Sequence, residues 1–271
     1  MQVSVYDLNG KERGKVSLPK AFGEKVRADL IKRAVLAEQS WNRQSYGSDP
    51  LAGQRSSAHY HGRRQTRYSM MNREMSRMRR IHNSGFLNLT ARIEPYATKG
   101  RRAHPPKAEK VWDLKINRKE WKKALNSAVA ASADKDLVSK RHRSRDIAVP
   151  IVFEDAFQDI KKTKEVVSLL LSIGLKDELD RCSEKKIRSG RGKTRGRKYK
   201  KRKGPLIIIN DDKGIEKAAK GIPGIDVTKA SELTTELLAP GTQPGRMTIW
   251  SKTAIAEFGK KREDNAGKEK K

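Results

Sequence analysis

The sequence is poor in cysteine and in aromatics, and its acids are outnumbered by its bases. Cys182 is the one cysteine among 271 residues. A single thiol forms no internal disulfide and supplies no cysteine metal cluster. No run approaches about 18 consecutive apolar residues, which excludes a transmembrane helix. The start, Met1-Gln2-Val3-Ser4, lacks the basic and then apolar regions of a signal peptide. A reducing, cytosolic compartment is therefore expected. Hydrophobic residues make up 35% of the chain and aromatics 6%, with a mean hydropathy of −0.84, so the core is small for the length. Against 32 Asp and Glu stand 62 Lys and Arg, a formal net charge of +30. Such an excess repels itself unless a polyanion neutralises it. Nucleic acid is the first partner this suggests, and an anionic membrane the second.

The excess is concentrated in two stretches. Residues 42–110 hold 15 Lys and Arg against four acids, Asp49, Glu74, Glu94 and Glu109. Residues 185–203 hold 12 Lys and Arg and no acid. The remainder, apart from a charged tail at 260–271, reads as an ordinary globule. That division argues against adsorption to a membrane by one basic face and for threading into a folded polyanion.

In the globule, Val3 and Val5 face Val16 and Leu18 across a turn at Asn9-Gly10-Lys11, the pattern of a hairpin. Residues 24–39 place Val26, Leu30, Ile31, Ala34 and Val35 on one helical stripe, and 118–131 do the same with Trp121, Leu125, Ala128 and Val129. A short buried strand is expected at 146–153, a helix at 164–173, and the clearest buried strand at Leu206-Ile207-Ile208-Ile209. A helix near 213–219 follows, capped by Asn210-Asp211-Asp212. A strand at 225–227 comes next, then a helix around 229–238 capped by Thr228. A last strand at 247–250 precedes a helix that Ser251 can cap. Short apolar strands alternating with helices indicate a parallel sheet covered on both faces. The expectation is one three-layer α/β/α domain, around a mainly parallel sheet, from residues 1–41 and 111–259, with a long extended internal loop at 42–110.

The loop has five Leu, Ile or Val in 69 residues, too few for a core of its own. Loops this long inside a compact domain are functional or disordered. Its arginines alternate with Tyr46, Tyr60, Tyr68, Phe86 and Tyr96. Guanidinium groups pair with phosphates, and both they and aromatic rings stack on unpaired bases. The bland reading is a disordered basic linker. Met70, Met71, Met75 and Met78 beside Arg73, Arg77, Arg79 and Arg80 are compatible with an arginine-rich helix bearing a methionine face, or with gap-filling packing.

The second stretch is a solvated block or an arm that folds on a polyanion; a nuclear-import signal has the same composition. Gly192-Lys193-Thr194 matches the end of a phosphate-binding loop, but Ile187 stands where that motif needs glycine and no strand precedes it.

Catalytic signals are weak. His59-Tyr60-His61 sets two imidazoles on one face of a strand, with no further His, Cys or acid at ligand spacing, so a solvated or RNA-contacting pair is read there rather than a metal site. His82, His104 and His142 lie among Arg or Lys. Cys182, next to Arg181, reads as a helix-packing thiol. There is no nucleophile elbow and no dinucleotide fingerprint. After Ile209 the chain runs Asn-Asp-Asp-Lys-Gly, which is not a phosphate cradle.

Three longer segments carry more. Tyr46-Gly47-Ser48-Asp49-Pro50-Leu51-Ala52-Gly53, Gly100-Arg101-Arg102-Ala103-His104-Pro105-Pro106-Lys107 and Leu238-Ala239-Pro240-Gly241 through Gly245-Arg246-Met247-Thr248-Ile249-Trp250 resemble the large-subunit ribosomal protein four family, in its archaeal and eukaryotic branch. The basic block from Arg188 to Lys193 ahead of Gly204-Pro205-Leu206-Ile207 is similar to that branch as well. The resemblance runs in order from about residue 3 to 258.

It implies a structural, non-enzymic protein without cofactor or metal, cytoplasmic on the ribosome. Such a protein binds large-subunit rRNA early in assembly. Its α/β globule would sit on the outside of the subunit. Its long loop would line the polypeptide exit tunnel, meeting the nascent polypeptide and the loop of large-subunit ribosomal protein twenty-two. Loop arms would be Gly53–Gly62 and Leu87–Lys107, with the tip near Met71–His82. On that reading rRNA contacts come from Arg55, His59, Tyr60, Arg63, Arg64, Arg67, Tyr68, Arg101, Arg102 and Lys107. Arg188, Arg191, Lys193, Arg195, Arg197, Lys198 and Lys200 of the arm join them. Arg73, Met75, Arg77, Arg79 and Arg80 would line the tunnel. Two other readings remain: an RNA-processing enzyme holding a nucleotide at the sheet, and a general RNA chaperone or packing protein without a fixed site.

Overall fold

The computed structural model describes residues 1–82, 85–143 and 147–259. The expected tail at 260–271 and the first residue of the strand expected at 146–153 lie outside them. The chain forms two compact units, one from Met1–Asn42 with the chain from Asp113 on, the other from Arg43–Trp112.

The first unit is built on a six-stranded sheet. Strand β1 (Gln2–Tyr6) pairs antiparallel with β2 (Glu12–Ser17), Val3 opposite Val16, as the alternating valines require. Helix α1 (Ala28–Trp41) starts later than its apolar stripe suggests, because the Arg27 N–H donates to Ser127 Oγ at 2.6 Å and the preceding residues run extended. Helix α2 (Arg118–Ala133) and a short α3 (Lys135–Ser139) follow. Strand β3 (Ile151–Phe153) leads to α4 (Thr163–Ser172) and α5 (Lys176–Ser183). The basic block forms a separate hairpin of β4 (Lys186–Ile187) and β5 (Tyr199–Lys200). Strand β6 (Leu206–Ile209), α6 (Ile215–Lys220), β7 (Asp226–Lys229), α7 (Thr235–Leu238) and β8 (Thr248–Ser251) complete the sheet, and residues 252–259 are helical. The strand order is β2-β1-β3-β8-β6-β7, and every pairing but β1–β2 is parallel.

The period of two along each strand sorts the core into two layers. Val152, Leu206, Ile208 and Trp250 point to the face covered by α1 and α2, where Ile31, Val35, Leu125 and Val129 meet them. Ile151, Phe153, Ile207, Ile209 and Ile249 point to the other, where Val166, Leu170 and Ala218 meet them. The fold is thus a three-layer α/β domain.

Two expectations about caps resolve differently. Ser251 Oγ accepts from the Ala254 N–H at 3.3 Å, as expected. Thr228 does not cap a helix: it lies buried in β7 opposite Ile208. The helix expected around 229–238 is a short 3-10 turn at Ala230–Glu232 and then α7, capped by Thr234. A continuous helix is prevented because β7 runs on to Lys229 in register with Ile209. Gly245 has φ 92°, and a Cβ there would stand 2.6 Å from the Leu137 carbonyl oxygen. That close approach sets the buried Arg246 to donate to the Gly204 and Leu237 carbonyls at 2.8 Å and to Asp226 at 2.6 Å.

Candidate nucleic-acid interface

The second unit, Arg43–Trp112, holds no helix or named strand among its described residues. It is a succession of turns folded back on itself. Two outer arms run side by side. The Ser48 N–H donates to the Pro106 carbonyl at 3.0 Å. A Cβ on Gly47 would meet the Ala108 nitrogen at 2.6 Å, and one on Gly53, at φ 77°, the Gly100 carbonyl at 2.5 Å. These glycines let the backbones approach.

Further in, three segments lie edge to edge. His59 and Arg80 exchange both backbone bonds at 3.2 Å, and Arg80 bridges to Ala91 in turn. Despite its scarcity of aliphatics the unit has a small interior: Ala58, Ser69, Met70, Arg80 and Ile93 are buried. Paucity of Leu, Ile and Val is offset by backbone bonding and by an arginine stem. The Arg80 guanidinium donates to the carbonyls of Leu89 at 2.7 Å and Ser76 at 3.1 Å, so it holds turns of this unit together.

The methionine-bearing helix is absent. Residues 70–80 are turns, with Asn72 at φ 58°, Met70 buried and Met75 exposed. Without a helical period the arginines splay outward: Arg73, Arg77 and Arg79 are exposed, as are Arg63, Arg64, Arg67, Arg102 and Lys107, while Arg101 is half-buried. Tyr60 is exposed, whereas Tyr68 packs its ring 4.6 Å from that of His82 and takes the Arg67 guanidinium at 5.3 Å. Arg55 is ion-paired with Asp49. The Asp49 carboxyl is held below its ordinary range by the Leu51 N–H and then by Arg55.

Two features escaped the sequence reading, and the loop aromatics it named gain a definite exposure. Trp112 stacks on Tyr46 at 5.5 Å and carries the Arg43 guanidinium at 3.7 Å and the Lys110 ammonium at 4.2 Å, a cation–π cluster at the base of the unit. Phe86 and Tyr96 are exposed by 95% and 74%, free faces on which bases can stack. Finally, His82 joins His59 and His61, contrary to the expectation that no third ligand accompanies the pair. The antiparallel bridge at His59 and Arg80 brings residue 82 alongside, a closeness that chain spacing does not encode.

In the basic arm, Arg191, Lys193, Arg195, Arg197, Lys198 and Lys200 are exposed and Arg188 half-buried. Arg188 is engaged inside the hairpin: its N–H donates to Lys198 O at 2.8 Å and its Nε to Arg197 O at 3.1 Å. Gly192-Lys193-Thr194 lies at the hairpin tip, in a 3-10 turn at Arg191–Lys193 that Thr194 caps, a setting unlike that of a phosphate-binding loop. The arm's cations therefore face solvent along a turned backbone.

The end of β6, where open α/β sheets bind ligands, is already filled by acid. Asp212 Oδ1 accepts from the Gly214 and Glu216 N–H groups at 3.0 and 3.2 Å, and these bonds hold its carboxyl below the ordinary range. A nucleotide phosphate would meet this carboxylate. Among the described residues no helix is long and apolar enough to cross a membrane.

Residues 16–261 match the model of the Ribosomal protein L4/L1 family. The chain belongs to that family. It is 46% identical to the large ribosomal subunit protein uL4 of Nanoarchaeum equitans, over 94% of this chain and 96% of that one. Identity to the uL4 of Archaeoglobus fulgidus is 41%, over 96% and 98%, and to that of Haloarcula marismortui 43%, over 95% and 98%. It is thus a ribosomal protein by family.

Proposed function

We propose that this protein is a structural constituent of the large ribosomal subunit, cytoplasmic, that binds large-subunit rRNA and joins the particle early in assembly. The observation that carries the reading, beside family membership, is the segregation of charge. Exposed arginines and free aromatic faces crowd a unit with no regular element, and a second cationic surface forms the β4–β5 hairpin, while the remainder is a closed α/β core.

In this reading Arg63, Arg64, Arg67, Arg102, Lys107 and the arm residues Arg191 to Lys200 contact phosphates. Tyr60 stacks on a base, and Arg55 and Tyr68 reach RNA after exchanging their internal partners. His59 contacts RNA. Arg73, Met75, Arg77 and Arg79 face the exit tunnel, the nascent polypeptide and large-subunit ribosomal protein twenty-two, with Arg80 positioning them. The role is structural rather than enzymic.

An RNA-processing enzyme is disfavoured by the Asp212 carboxylate at the sheet's ligand end. A general RNA chaperone would bind any polyanion alike. Filter binding of the full chain to large-subunit rRNA and to random RNA of equal length, at physiological salt, separates the readings. Preference for the rRNA supports the proposal, and equal affinity sinks it. A chain lacking residues 60–90 should still enter subunits on a sedimentation gradient, with an altered tunnel wall.

A further inference from the structure

Three of the five histidines converge. His59, His61 and His82 offer ligand nitrogens that all lie within 4.8 Å of one another. Their ring centroids are 4.3, 4.5 and 4.7 Å apart. Three cation-forming rings in mutual contact, with no carboxylate in the cluster, need a reason.

Hydrogen bonds of two of the rings fix which nitrogen keeps its lone pair. His59 Nδ1 lies 2.9 Å from the Ser57 carbonyl oxygen, so that nitrogen carries the proton and donates, and Nε2 keeps its lone pair. His82 Nε2 lies 3.3 Å from the His59 carbonyl and donates likewise. Its Nδ1 is then the lone-pair nitrogen, and it is buried without any hydrogen-bond partner. A carbonyl holding the second nitrogen is how metal-ligating imidazoles are oriented.

The backbone is fixed on both sides. His59 exchanges two bonds with Arg80, and the His61 carbonyl accepts from the Met70 N–H at 3.2 Å.

We propose that His59, His61 and His82 bind one zinc-class divalent cation through three imidazole nitrogens. Tetrahedral zinc places its nitrogen ligands about 3.4 Å apart, so the rings close by about an ångström through side-chain rotation. The exposed side of His59 leaves the fourth position open to water or an RNA phosphate oxygen. An all-imidazole set without carboxylate selects zinc-class ions over magnesium and calcium, which take oxygen ligands. Bound metal would pin the segment at 59–61 to the one at 80–82, two stretches far apart in sequence.

The test uses the full chain and is independent of RNA binding. Cobalt(II) is titrated in, followed by visible absorption, and zinc is then added as competitor. One equivalent should give the spectrum of a tetrahedral site, displaced by zinc and untouched by excess magnesium. His59→Ala and His82→Gln should each weaken binding at least about tenfold, while His104→Ala should not. Because a variant can misfold, modification by diethyl pyrocarbonate is also mapped in the unsubstituted chain. Zinc should protect residues 59, 61 and 82 and leave His104 reactive. Absence of a saturable site, or protection that ignores the three histidines, would overturn the proposal and leave the cluster as ring packing.

Discussion

Glu178 shows how a single charge can be buried in this fold without being left unsatisfied. Its carboxylate accepts from Arg181 Nε at 2.8 Å, from the Arg143 N–H at 3.0 Å, and from His142 Nδ1 at 2.6 Å. His142 Nε2 in turn accepts from the Met247 N–H at 3.0 Å, so the ring is neutral and both nitrogens are used. Burial alone would raise the Glu178 pKa, yet the hydrogen bonds from Arg181 and His142 hold it at about 2. Burial lowers that of His142. Both shifts act in one direction. A depressed carboxylate contributes stability that is complete above its unfolded value of 4.5 and is lost as pH falls toward about 2. A depressed histidine also costs stability as pH falls through 6.5. Urea midpoints should therefore decline from about pH 6.5 downward and more steeply below about pH 4.5. Glu178→Ala should cost about 3–5 kcal/mol at neutral pH and flatten that profile; an unchanged midpoint would refute the network. Cys182 adjoins the same group. Burial, then Glu178, pushes its thiol up to about 11. A thiol-specific disulfide reagent should accordingly leave the folded chain intact at pH 8 and react once it is denatured.

At the scale of elements, what could be read from the chain was what rests on local pattern. Leu206–Ile209 is a strand because four aliphatics in a row fit a position covered on both faces. The hairpin β1–β2 and helix α2 follow from periods of two and 3.6. Long-range partners were not legible. Thr228 satisfied the local rule for a cap, but pairing with Ile208 placed it inside the sheet. No local pattern marks Glu38, near the end of α1, as a partner of a distant helix. Its carboxylate reaches across to cap α7, accepting from the Thr235 and Glu236 N–H groups at 3.0 and 2.6 Å and from Trp121 Nε1 at 2.7 Å. The histidine cluster was hidden for the same reason, since 23 residues separate His59 from His82. By this geometry Glu38→Ala should lower stability by about 2–3 kcal/mol, because three donors lose a charged acceptor. Thr234→Ala, which removes one weak cap bond at 3.4 Å, should cost about 1 kcal/mol or less. Paired denaturant titrations measure the order, and a reversed order would mean that Thr234, not Glu38, anchors α7.

Over the whole molecule, an excess of 30 charges is tolerable because it is kept off the α/β core. The sheet layers are apolar and the buried Glu178 and Glu38 are satisfied by hydrogen bonds, so self-repulsion falls on turns and a hairpin exposed to solvent. The two kinds of RNA contact proposed there are thermodynamically separable. Each phosphate neutralised releases counterions, and binding then weakens linearly in log salt with a slope of about −0.7 to −0.9 per contact. Stacking on an aromatic ring releases none. Replacing Arg191, Lys193, Arg195 and Arg197 with Gln should therefore flatten the slope for rRNA binding by up to about 3 and weaken all sequences alike. The hairpin should keep its shape, because its closing bonds run through backbone atoms and Arg188. Tyr60→Ala should weaken binding by about 1–3 kcal/mol with the slope unchanged. Filter binding across a salt series reads both at once. A slope untouched by the four arm substitutions would remove the hairpin from the interface and leave the turns at 43–112 to hold the RNA alone.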